Sequence, residues 1–89
     1  MVVQIRRAIV SVTSNIAEGS KRKSQQDYAR FLNMAEGSLA ETESLLLLSR
    51  DLGYEGAGSV DPLIAESDEL ARMLYALRAS VEASIQQAQ

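Results

Sequence analysis

Helical proteins that hold a dinuclear metal centre do so with paired glutamates and a Glu-x-x-His repeat. The carboxylates are therefore the first residues to test for chemistry. The chain has no histidine and no cysteine, which removes the commonest general base, the commonest metal ligand and any thiolate site. Glu36, Glu41 and Glu43 do not share one helical face. Glu66 and Glu69 do, but with Asp68 beside them they have the character of a solvated face. No glycine-rich phosphate loop, GxSxG elbow or P-loop lysine motif is present. The chain reads as non-enzymatic, with no cofactor, no metal and no small-molecule substrate.

Lys21-Arg22-Lys23 is the densest charge feature. It lies just before a helix N-terminus, where free N–H groups and the macrodipole also favour anions. Arg30, two turns into that helix, extends the patch. Two readings stand: a nucleic-acid contact, and a solvated elbow. Tyr28 and Phe31 are near enough in sequence to stack on bases, but their place on an apolar stripe assigns them to the core. Arg6 and Arg7 fall ~18–20 Å further along the first helix and belong to another surface. Asn15 and Glu18, with Ser11 and Ser14, flank an apolar stripe and form a polar cluster that fixes helix register.

The elements that carry these residues follow from apolar spacing. Val2, Ile5, Ile9, Val12 and Ile16 alternate steps of three and four, the stripe of a helix over 2–18. Gly19 is its expected stop. Ser24 is an N-cap with Asp27 in the first turn, and a second helix runs over 25–52 to Gly53. Its main stripe is Tyr28, Phe31, Ala35, Ser38, Thr42, Leu45, Ser49 and Leu52; Leu32, Leu39 and Leu46 form an adjacent one. After a glycine-rich loop over 53–60, Asp61-Pro62 signals a third helix over 61–88, carried by Leu63, Leu70, Leu74, Leu77, Val81 and Ile85. The tetrapeptide Ala-Glu-Gly-Ser occurs at 17–20 and at 35–38. The first copy is expected to end a helix. The second continues one, with Gly37 inside it against the backbone of a neighbouring helix.

The fold class expected is all-α: an antiparallel up-down helical bundle of three helices, one domain over 1–89. A chain of 89 residues buries only about 60–65% of its unfolded surface, and with no disulfide it relies on packing or self-association. Leu45-Leu46-Leu47-Leu48 covers every side of its helix, and a helix apolar all round must be buried all round. A first helix ~26 Å long leaves part of two ~42 Å helices bare. Another chain or a helix upstream of Met1 is expected to cover these leucines, so the chain is not expected to be a stable monomer.

Net charge is −3, unevenly spread. Residues 1–30 hold six cations and two acids, whereas residues 31–89 hold three cations and ten acids. The split fits either a surface for anionic partners or complementary faces within one fold. Arg6 and Arg7 ahead of Ala8–Val12 have the outline of a signal peptide, but the apolar stretch is short and Glu18 occupies the cleavage region. No run approaches a membrane span, and a cytoplasmic location is expected.

Gln4-Ile5-Arg6-Arg7-Ala8, Ser14-Asn15-Ile16-Ala17-Glu18-Gly19-Ser20, Tyr28 with Arg30-Phe31-Leu32, Ala35 with Gly37-Ser38-Leu39 and Glu41, and Leu52-Gly53-Tyr54 closely resemble the bacterial four-helix-bundle protein family. It is also called the 23S ribosomal RNA intervening-sequence protein family. The resemblance covers about residues 4–80. It implies an all-α bundle, ring-shaped homopentamers and an association with RNA or an RNA-handling enzyme; a basic branch of the family binds nucleic acid. It also marks Arg6, Arg7, Ser14, Asn15, Glu18, Gly19, Gly37, Ser38 and Glu41 as motif positions with structural roles. Two departures stand out. Family members usually begin with a further helix of about thirty residues, and they often carry proline where this chain has Thr13.

Overall fold

The computed structural model describes residues 1–53 and 57–88. Three helices follow in order: α1 (Val2–Ser20), α2 (Gln25–Asp51) and α3 (Ala57–Ala88). No strand occurs among the described residues, and the fold is all-α as expected. Among the described residues no helix is long and apolar enough to cross a membrane.

Each boundary has a local cause. Ser24 sits in an extended conformation and its Oγ accepts a 3.1 Å hydrogen bond from the Asp27 amide, so α2 begins where the cap places it. At its far end Gly53 takes φ +78°, the left-handed conformation that ends helices at low cost. Two boundaries differ from expectation. Gly19 does not stop α1; the helix runs on to Ser20, and the elbow Lys21–Ser24 makes the turn. Asp61 is not the N-cap of α3. The helix starts at Ala57 and carries Pro62 inside it. The extra turn buries Val60, and Asp61 instead accepts from Arg50 at 3.3 Å, tying the end of α2 to α3. Of the expected loop, 54–56 lies outside the described residues.

Helix α2 is the middle of the fold. Helices α1 and α3 both pack against it, yet among the described residues no Cα of α1 comes within 8 Å of a Cα of α3. The molecule measures 50 × 20 × 13 Å. Helices spaced about 8–10 Å apart in a closed triangle would have nearly equal width and depth. The elongated cross-section is that of three corners of a square, with α1 and α3 on the diagonal.

The core joins Val12 of α1, Ala29, Leu32, Ala35 and Leu39 of α2, and Leu74 and Val81 of α3, with Ile16, Tyr28, Ala71 and Ile85 packed around it. Leu32 and Ala35 are fully buried. The seams are rotated from the expected stripes. On α1 the buried residues are Ala8, Val12 and Gly19, whereas Ile9 and Val2 are exposed. The buried line lies about 60° around the helix from the β-branched stripe, because small residues let α1 approach α2 closely. On α2 both expected stripes reach the interior: Leu32, Leu39 and Leu46 of the second and Ala35, Thr42 and Ser49 of the first are buried, whereas Leu52 is exposed. On α3 the buried residues are Val60, Ser67, Leu74 and Val81, seven apart, while Leu63, Leu70 and Leu77 are exposed.

The four leucines are not buried all round within the chain. Leu46 is buried, Leu45 and Leu47 are half-buried and Leu48 is exposed.

Candidate functional site

The chain presents two surfaces, one charged and one apolar. The charged one is built around Phe31, half-buried nearly two turns into α2. The Arg22 guanidinium lies 4.8 Å from the Phe31 ring centre and that of Arg30 lies 5.0 Å from it, both within cation–π reach. Arg22 also pairs with Glu18 at 3.4 Å and Arg30 with Asp27 at 3.7 Å. Among the described residues Lys21 and Lys23 enter no ion pair. Lys21, Arg22, Lys23 and Arg30 are thus brought to one elbow, as the spacing suggested. Tyr28 packs on the core. Phe31 holds the two arginines in place rather than standing free for a base.

What positions the elbow is Gly19. A Cβ there would stand 2.8 Å from the Phe31 Cβ and 3.1 Å from Tyr28 Cδ1. Only glycine lets the end of α1 cross the start of α2 at this distance. Gly37, expected to have this role, sits inside α2 with nothing within 4 Å of where its Cβ would be. The two Ala-Glu-Gly-Ser copies have exchanged the close contact.

The polar cluster is smaller than expected and reaches across helices. Asn15 Nδ2 donates to the Ser11 carbonyl at 2.8 Å and to Ser11 Oγ at 3.3 Å, and Ser11 Oγ meets Ser38 Oγ at 2.8 Å. Ser14 and Glu18 are exposed and stand outside it. Thr13 Oγ1 donates to the Val10 carbonyl at 3.0 Å within the continuous helix α1. Arg6, Arg7 and Glu41 are exposed.

One network carried no signal in the sequence. Arg78 of α3 donates through Nε to Glu36 of α2 and at 2.8 Å to Glu82, and lies over the Tyr75 ring. Its hydrogen bonds to the carboxylates of Glu36 and then Glu82 hold the guanidinium pKa still further above its ordinary value. It is a fixed cation that locks α3 to α2. Residues 42 apart in sequence leave no local pattern to find.

The apolar surface is the vacant corner. A groove of ≈ 210 Å³ runs between α1 and α3 over α2. Ile5 and Ile9 form one wall, Leu63 and Leu70 the other, Leu39 and Leu46 the floor. Thr42 also lines the groove, its hydroxyl spent on the Ser38 carbonyl at 2.9 Å. The groove offers mainly hydrophobic contact; Glu66 and Ser67 complete its lining, the Ser67 hydroxyl donating to the Ile64 carbonyl at 2.9 Å. No group of three or more potential metal ligands occurs among the described residues.

The family described as "23S rRNA-intervening sequence protein" matches residues 1–76. The chain belongs to that family. No curated protein and no solved structure matches it significantly. Membership agrees with the motif runs quoted above and with the all-α fold.

Proposed function

We propose that this chain is a non-enzymatic helical scaffold or adaptor that self-associates and works beside RNA or an RNA-handling protein. The observation that carries this reading is the open groove walled by Ile5, Ile9, Leu63 and Leu70. It is a largely apolar surface, with exposed Ile9, Leu63 and Leu70 on its walls. A fully buried leucine is worth about 1.5–3 kcal/mol over an exposed one, a large share of the stability of a small domain. Light scattering at micromolar concentration tests it. A species heavier than one chain is expected, and a folded particle of 9.7 kDa overturns it.

A second reading is direct nucleic-acid binding through the elbow, favoured by the Arg22 and Arg30 guanidinia gathered on Phe31 beside Lys21 and Lys23. Its signature is a log–log salt slope of about −0.7 to −0.9 for each phosphate neutralised. Replacing Lys21, Arg22 and Lys23 with glutamine removes binding while helix content stays. Equal binding by the triple variant rejects the elbow as the site.

A further inference from the structure

We propose that the elbow takes the phosphate backbone of a nucleic-acid duplex, and that Glu18 and Asp27 limit its grip by keeping Arg22 and Arg30 occupied. The proposal rests on the second reading above, direct binding at the elbow. It adds the form of the nucleic acid and the device that sets the affinity.

The four cations of the elbow are not equivalent. Lys21 and Lys23 are exposed and, among the described residues, enter no ion pair. Each arginine is held twice. Arg22 lies over the Phe31 ring and pairs with Glu18, four residues back; Arg30 lies over the same ring and pairs with Asp27, three residues back. Both pairs stand in water, their side chains 44% and 53% exposed in the first and 62% and 51% in the second. Exposed pairs of this kind are weakly held, so a phosphate can take the place of the carboxylate. Arginine is also the better phosphate ligand, because its planar fork offers two parallel N–H donors. The two cations best suited to phosphate are therefore the two that the chain itself engages. Asp27 stands in the first turn of α2, where the helix dipole would otherwise favour an incoming anion.

The form of the ligand follows from the rings. Proteins that hold single strands stack successive bases on free aromatic faces. At the elbow Tyr28 packs on the core, and Phe31 is half-buried beneath two guanidinia. What the elbow offers is charge, and charge is best answered by a duplex, which carries one phosphate per about 1.7 Å of its axis.

Salt dependence carries the signature. Each cation that neutralises a phosphate releases a counterion and steepens the log–log slope. An arginine that leaves its own carboxylate adds little, because that carboxylate regains a counterion. The intact chain should show the slope of its two lysines, and a chain without the two acids the slope of all four cations.

Fluorescence anisotropy of short labelled RNA and DNA duplexes, titrated with the intact chain over a salt series, tests this. Glu18→Gln with Asp27→Asn is expected to tighten binding about three- to tenfold and to make the slope about twice as steep. Either change alone gives about half of that increment in slope. Glu66→Gln with Glu69→Gln is the control. It removes the same charge from the first part of α3, which Asp61 ties to Arg50 at the end of α2 remote from the elbow, and should leave the slope unchanged. Circular dichroism confirms that each variant keeps its helices. The expected response on either duplex supports the proposal, and the tighter duplex names the source of the phosphates. A slope that the acid changes move no more than the control does overturns the proposal and leaves the elbow as the site. Tighter binding to the matching single strand does the same. No saturable binding at low salt, by the intact chain or by the acid variants, overturns both.

Discussion

Gly19 and Gly37 stand in identical tetrapeptides and set opposite expectations for the same substitution. At Gly19 a methyl group meets Phe31 Cβ at 2.8 Å, in a contact between two helices that cannot both move. Gly19→Ala is expected to cost about 1–3 kcal/mol. At Gly37 the methyl enters open space on an exposed turn of α2, where alanine is the better helix former by about 0.5–1 kcal/mol. Gly37→Ala is therefore expected to stabilise. Urea titration of the two variants gives both signs directly, and equal shifts would refute the assignment. Sequence alone could not separate the copies, because each glycine is flanked by the same residues and the deciding atoms belong to Tyr28 and Phe31. The basic elbow was legible, since its members are near neighbours in the chain. Its anchoring on Phe31 was not.

The helices themselves were legible because 3.6-residue spacing and the Ser24 cap are local signals. Which face each helix buries was legible only in part: Val12, Leu32, Leu39, Leu74 and Val81 of the expected stripes are core, and other stripe members are not. On α3 the leucines at 63, 70 and 77 are exposed, while Val60, Ser67, Leu74 and Val81, two of them valines and one a serine, are buried. Close approach between long helices selects small side chains, and the larger ones fall to the side. This gives a test within one helix. Leu74 is 3% exposed, and Leu74→Ala is expected to cost about 2–5 kcal/mol whatever the protein concentration. Leu70 is 40% exposed and walls the groove, so Leu70→Ala should leave the isolated chain nearly unchanged and lower stability only where copies associate. Melting each variant at two concentrations a hundredfold apart tells the two behaviours apart.

For the molecule as a whole, the expectation of incomplete cover came from the four leucines at 45–48, and the structure relocates it. Leu46 is covered by the chain itself, and the bare surface is the missing corner between α1 and α3. Self-association ties folding to mass action, so the melting temperature of the native chain should rise with concentration; a constant value would mean that the folded unit is the single chain. One feature reaches beyond assembly. Among the described residues, helices α1 and α3 approach no closer than 8 Å between Cα atoms, so the fold is two hairpins that share α2 as a common leg. Each seam can part without the other. The shorter, α1 against α2, has only 19 residues of helix to hold it, and it should open first. In amide hydrogen exchange the α1 amides should then fall into one group, released together at a lower free energy than those of α2 and α3. A single free energy shared by all three helices would show that the two hairpins part together.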